Sequence, residues 1–180
     1  MAEFTDVLLT HDEIKNAVDG VAYRINQDYV GKDVVVVCIL KGAFIFCADL
    51  VRSLTIPVTI DFIAASSYGA ESTSSGNVKI LKDVETDVAH KHVILVEDIV
   101  DTGLTLKTLK DFFMQRNPES VSICCLLDKR ERRTVDVDVE YCCFPIPDDF
   151  VVGYGLDYDN RYRNLKDIMI LDPSVYEKKG

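Results

Sequence analysis

Apolar residues along this chain follow two rhythms in turn. Behind Thr10 and Glu13, which have capping-box spacing, Ile14, Val18, Ala22, Ile25 and Tyr29 recur at helical intervals. The pattern predicts an amphipathic helix over 11–29, ended by Gly31. Val34-Val-Val-Val-Cys-Ile-Leu40 is then apolar without alternation, as expected of a parallel strand covered on both faces. Lys41-Gly42 marks a turn, 43–54 reads as a helix and 58–64 as a second strand. The sequence repeats the scheme with a buried strand at 92–97, a helix over 103–116 and a strand at 121–127. Short apolar segments follow at 150–152 and 168–171.

Two stretches depart from this rhythm. Residues 65–77 (ASSYGAESTSSGN) are small and polar, with nothing to anchor them to a core, and read as a long, flexible, functional loop. Val135-Asp-Val-Asp-Val-Glu-Tyr141 alternates strictly, which predicts a strand with one wet face toward a sheet edge. Strands alternating with helices give an α/β fold, a mostly parallel twisted sheet flanked by helices, in one domain spanning 1–180. Ligands in such folds bind beyond the carboxyl ends of the strands. Attention therefore falls on Lys41, the 97–105 turn and Asp128-Lys129.

Charge narrows the partners. A net charge of −10 argues against nucleic acid, whose binding needs cationic surface. It leaves room for a small polyanion, because a bound cation can reverse the local sign of a site. No apolar run approaches the ~20 residues that span a bilayer. The N-terminus has no basic region followed by an apolar one, and there is no N-x-Ser/Thr acceptor, so a cytoplasmic address is expected. The six cysteines, Cys38, Cys47, Cys124, Cys125, Cys142 and Cys143, form no C-x-x-C pair. They read as buried reduced thiols.

The chemistry concentrates in His92-Val-Ile-Leu-Val-Glu97-Asp98-Ile99-Val-Asp101-Thr102-Gly103-Leu104-Thr105. Three acids in five residues at a strand end repel one another and call for a cation nearby. The turn after them offers backbone N–H groups and two hydroxyls at a helix N-terminus, a phosphate site. Acids beside a phosphate cradle suit a sugar phosphate, whose hydroxyls the carboxylates can accept from. Asp101 could instead simply cap the helix, which would leave Glu97 and Asp98 unexplained. A nucleotide hydrolase would need a G-x-x-x-x-G-K-[ST] loop, and the sequence has none, nor a G-x-G-x-x-G turn.

The run VILVEDIVDTGLT resembles the phosphoribosyl-pyrophosphate signature of type I phosphoribosyltransferases. The chain resembles the hypoxanthine-guanine members of that family from end to end. The matching stretches are Leu40-Lys41-Gly42, Ser66-Ser67-Tyr68-Gly69, Leu127-Asp128-Lys129-Arg130 and Ile146-Pro-Asp-Asp-Phe-Val-Val-Gly-Tyr-Gly-Leu-Asp157-Tyr. The resemblance implies a type I phosphoribosyltransferase fold with a small hood, from about 144–180 plus the N-terminal segment, and the flexible loop. It implies purine salvage: transfer of the 5-phosphoribosyl group of phosphoribosyl pyrophosphate to a 6-oxopurine base. Asp101 matches the general base toward the purine N7 proton. Glu97 and Asp98 match the pair that holds the ribose hydroxyls, directly or through Mg2+. Ile99, Thr102, Gly103, Leu104 and Thr105 complete the 5-phosphate site, with Leu104 where some relatives carry lysine. Lys129 matches the donor to O6 of the base, Phe150 the stacking aromatic and Val151 a backbone contact to the base edge. Asp157, with Glu97 and Asp98, matches a Mg2+-linked carboxylate. Lys41, Gly42, Ser67, Tyr68 and Arg163 match the pyrophosphate side, where relatives hold a non-proline cis peptide. A homodimer or homotetramer is implied as well.

Three alternatives stay open at this stage. One is a phosphoribosyltransferase for adenine, orotate, uracil or xanthine. Another is a regulator that senses phosphoribosyl pyrophosphate without turning it over, and the third a generic Rossmann-like binding domain.

Overall fold

The computed structural model describes residues 3–67 and 78–177. Its first element, β1 (Phe4–Leu9), leads into α1 (His11–Asp28). The capping box is complete: Thr10 Oγ1 accepts from the Glu13 amide, and Glu13 Oε2 accepts from the Thr10 amide at 2.8 Å. Ile14, Val18, Val21, Ala22 and Ile25 form the buried stripe of α1. The helix stops at Asp28, ahead of Gly31, whose φ of 72° turns the chain into the sheet.

The order continues with β2 (Val34–Leu40), α2 (Phe44–Ser53), β3 (Val58–Ser67), β4 (Val78–Lys82), β5 (His92–Val100), α3 (Leu104–Met114) and β6 (Ser120–Asp128). It closes with β7 (Tyr141–Pro145), β8 (Val151–Val152), β9 (Ile168–Leu171) and the single turn α4 (Pro173–Tyr176). The main sheet runs β4-β3-β2-β5-β6-β7, with β4 antiparallel to β3 and the other pairs parallel. A second, antiparallel sheet, β1-β9-β8, pairs the N-terminal strand with the end of the chain, Phe4 opposite Leu171.

The unbroken apolar run of β2 has a direct explanation. Val34, Val36 and Cys38 enter the core cluster shared with α1 and α2, while Val35, Val37 and Ile39 enter the one shared with α3. Each such side chain contributes about 1.5–3 kcal/mol on leaving water. The central strand therefore cannot slip in register without disturbing both layers.

Three sequence expectations need correction. Residues 65–67 are not loop but the end of β3, paired with Val78–Ile80; the remainder, 68–77, lies outside the described residues. The buried strand expected at 92–97 runs on to Val100, so Glu97 is not its last residue and Asp98 lies within β5 rather than after it. The alternating 135–141 segment is not a strand until Tyr141, and the edge strand is Tyr141–Pro145. Val137 and Val139 still pack on the α3-side core, so the alternation reported burial without sheet hydrogen bonding. All six cysteines are free, and Cys38, Cys47, Cys124 and Cys125 are buried. Burial pushes the half-buried Cys143 thiol up to about 12. No helix among the described residues is long and apolar enough to cross a membrane.

Candidate active site

The carboxyl ends of β2, β5 and β6 bring the expected residues to one side of the sheet. Beyond β2 the Leu40–Lys41 peptide is cis, as the resemblance implied, and the turn continues through Gly42. Gly42 lies against β5 so closely that a β-carbon there would fall 1.7 Å from Asp98 Oδ2. Gly155, at φ +103°, packs on the other side of the same turn; its β-carbon would fall 2.2 Å from the Gly42 carbonyl oxygen.

Two adjoining cavities open here and share Ile99 as a wall. The smaller, about 100 Å³, is lined by Glu97, Asp101, Thr102, Gly103 and Thr105 among others. Gly103 precedes α3 at φ +86° and brings no side chain to the helix end; the Leu104 amide meets Thr102 Oγ1 at a long 3.4 Å, a geometry that leaves the helix start open to an anion. This excludes the capping role for Asp101. The larger cavity, about 230 Å³, is lined by Asp98, Lys129, Phe150, Val151, Leu156 and Asp157. Glu97 lines the smaller cavity and Asp98 the larger, although the two carboxylates lie beside each other.

The cation that three neighbouring acids demand comes partly from protein. Arg132 Nε donates to Asp101 Oδ1 at 2.6 Å. Arg163 Nη2 lies 2.8 Å from Asp157 Oδ1, while its Nη1 donates to the Gly155 carbonyl at 2.7 Å. Among the described residues no basic side chain forms an ion pair with Glu97 or Asp98. Burial first, and then the Asp98 carboxylate beside it, hold the Glu97 carboxyl well above its usual range. Hard oxygen donors without a protein counter-ion suit Mg2+, which keeps water and substrate phosphates as most of its ligands. Among the described residues no group of three potential ligands could hold a metal ion by itself, so Glu97, Asp98 and Asp157 do not form a protein-only site.

The purine-side residues sit as follows. Lys129 is mostly covered; its amide donates to the Val100 carbonyl at 2.9 Å and its Nζ to Asp148 Oδ1 at 3.2 Å. Phe150 stacks on Tyr176, with ring centroids 4.8 Å apart and planes at 24°, and meets Tyr158 edge-on at 5.7 Å. Val151 is fixed by pairing with Ile170. Ser67 closes β3, and Tyr68 lies outside the described residues. Sequence reasoning missed Arg132, Asp148, Tyr158 and Tyr176. The basic run 129–133 and the paired acids 148–149 were visible, but nothing in them specified these contacts.

The chain is similar to known proteins over most of its length. A family model described as phosphoribosyl transferase domain matches residues 5–159. The hypoxanthine-guanine phosphoribosyltransferase of Streptococcus pneumoniae is 47% identical over 170 residues, 94% of each chain. The crystal structure of a Staphylococcus aureus hypoxanthine phosphoribosyltransferase superposes with a TM-score of 0.94 at 42% identity, covering 97% of this chain and 95% of that one. A Trypanosoma cruzi hypoxanthine phosphoribosyltransferase gives a TM-score of 0.92 at 45% identity, covering 98% and 96%. It was solved in work on the role of its C-terminal region in oligomeric state and activity.

Proposed function

The chain belongs to the phosphoribosyl transferase family, and from that premise we propose that it salvages purines, moving the 5-phosphoribosyl group of phosphoribosyl pyrophosphate onto N9 of hypoxanthine or guanine. The products are IMP or GMP and pyrophosphate. The observation that carries this reading is the meeting of two cavities at Ile99, one floored by a helix N-terminus and the other walled by Lys129 and Phe150.

In this reading Thr102, Gly103, Leu104 and Thr105 hold the 5-phosphate, because the start of α3 carries the positive end of the helix dipole and backbone N–H groups that an anion can accept from. The Leu104 side chain takes no part in such backbone contacts. Glu97 and Asp98, ahead of Ile99, accept from the ribose hydroxyls. Lys41, Gly42 and Arg163 receive the pyrophosphate, and Ser67 and Tyr68 are assigned to the same substrate by the family resemblance. Asp98 and Asp157, with Glu97, would hold Mg2+, which when bound neutralises the diphosphate.

The base stacks on Phe150, with Val151 backbone at its edge. Lys129 donates to O6. Adenine carries an amino donor at that position, which an ammonium cannot accept from. As N9 bonds to the anomeric carbon and the pyrophosphate leaves with the electron pair of its C–O bond, the N7 proton becomes acidic and passes to Asp101. A carboxylate at hydrogen-bond reach of that proton is what the step requires.

One domain over 1–180 with a homodimeric or homotetrameric assembly completes the proposal, and six free thiols accord with a reducing cytoplasm. The test is direct. The chain with phosphoribosyl pyrophosphate, Mg2+ and hypoxanthine should form IMP and pyrophosphate in equal amounts, and a chelator should stop both. Absence of nucleotide product with Mg2+ present would refute the reading.

A further inference from the structure

Asp101 and Lys129, the two groups read above as facing N7 and O6 of the base, are joined by a continuous line of charges. Arg132 Nε donates to Asp101 Oδ1 at 2.6 Å. The same guanidinium reaches Asp148 through Nη1, 3.1 Å from Oδ2 and 3.4 Å from Oδ1. Lys129 Nζ then donates to Asp148 Oδ1 at 3.2 Å. The four residues come from three separate segments: the turn after β5, the 3-10 turn Arg130–Arg132 after β6, and the connection between β7 and β8. Their charges alternate and sum to zero, so the line is self-neutralising.

We propose that Arg132, anchored on Asp148, is a positioning residue that holds the Asp101 carboxylate and the Lys129 ammonium at a fixed separation, so that one purine edge meets both at once. N7 and O6 lie side by side on the same edge of a 6-oxopurine. That edge asks for an acceptor at N7–H and a donor at O6, which are the two groups that the bridge links. With Oδ1 of Asp101 engaged by Arg132, Oδ2 is the oxygen that accepts the proton. Arginine suits the bridging role because its planar fork carries N–H groups that can serve two carboxylates, whereas lysine offers a single point charge.

The line contributes little to folding. Arg132, Asp101 and Asp148 have side chains 47%, 45% and 46% exposed, and ion pairs so open to solvent add almost nothing to stability. Its effect lies in geometry, where displacement of a reacting group by ~1 Å can cost ~100-fold in rate.

The inference rests on the roles read for Asp101 and Lys129, and the test separates the two. With hypoxanthine, Mg2+ and saturating phosphoribosyl pyrophosphate, Arg132→Ala should lower kcat by roughly 10–100-fold. KM for phosphoribosyl pyrophosphate and the melting temperature should hold at wild-type values. Asp148→Ala should fall as far, and the double variant no further than Asp148→Ala alone, because the two act as one unit. Arg132→Lys should recover part of the loss. The proposal is overturned if the single variants keep wild-type kcat, if their losses multiply in the double, or if kcat falls only together with the melting temperature. An Asp101→Asn variant with normal turnover would remove the general base itself and this inference with it. Collapse of Asp101→Asn beside normal Arg132→Ala would remove the inference alone.

Discussion

Gly42 and Asp98 touch: the site of a β-carbon on the glycine is already taken by Oδ2 of the aspartate, 1.7 Å away. The same turn is also approached by Gly155, where a β-carbon would fall 2.2 Å from the Gly42 carbonyl oxygen. Backbone of one strand end and carboxylate of the next therefore share a single wall between the pyrophosphate and ribose sides. Gly42→Ala must displace Asp98. We expect kcat/KM for phosphoribosyl pyrophosphate to fall by about 100-fold, with ~1–3 kcal/mol lost from stability. Steady-state titration of that substrate and thermal melting check both; unchanged kinetics would mean that the contact has no bearing on the reaction.

Asp101→Asn keeps the shape of the turn and removes the proton acceptor. Loss of a positioned base costs about 10²–10⁴ in turnover. Binding of the nucleotide product, which carries no N7 proton to transfer, should persist and can be read by calorimetry. Turnover within a few-fold of wild type would dismiss Asp101 as the base.

Phe150 and Tyr176 form a stacked pair at the base pocket, with Tyr158 edge-on behind. Aromatic pairs are worth about 0.5–1.5 kcal/mol beyond simple burial. Tyr176→Ala should therefore raise KM for hypoxanthine by roughly 2–10-fold, and Phe150→Ala by more, since it removes the stacking face itself. Equal KM in all three proteins would place the base elsewhere.

Asp61 joins β3 to the segment ahead of β5. Its carboxylate is 7% exposed and accepts from the amides of Phe62, Glu85 and Thr86 at 2.7–2.9 Å. Burial alone would raise its pKa, but the hydrogen bonds from Thr86, Phe62 and Glu85 prevail and hold it below the usual 3.8. A carboxyl depressed in the folded state adds stability that is complete above the unfolded pKa. That stability disappears as pH falls through the folded value. Asp61→Ala should cost about 1–3 kcal/mol at pH 7, and the gap between variant and wild type should narrow below about pH 4. Denaturant melts at pH 7 and pH 3 measure it; a constant gap would contradict the assignment.

How far the sequence disclosed this structure depended on whether a contact left a mark on one segment alone. The strands β2, β5 and β6 were legible because both their faces are covered, which forces an apolar run. The phosphate turn was legible because acids, glycine and hydroxyls must follow one another closely there. β1 was not, since FTDVLL becomes a strand only by pairing with β9 at the far end of the chain. Val135, Val137 and Val139 misled because alternation records which side is wet, and sheet bonding begins only at Tyr141. The Arg132–Asp148 contact joins two loops whose sequences say nothing of each other.

The proposed substrate assignment stands on Lys129, in the larger cavity, as donor to O6 and on Asp101, in the adjoining smaller one, as acceptor from N7. The decisive measurement is kcat/KM for hypoxanthine and for adenine, at saturating phosphoribosyl pyrophosphate with Mg2+. A site built around a hydrogen bond strongly rejects the analogue that cannot make it, so hypoxanthine should win by about 100-fold or more. Adenine turning over as well as hypoxanthine, or better, would contradict the reading of Lys129 and with it the assignment of the substrate.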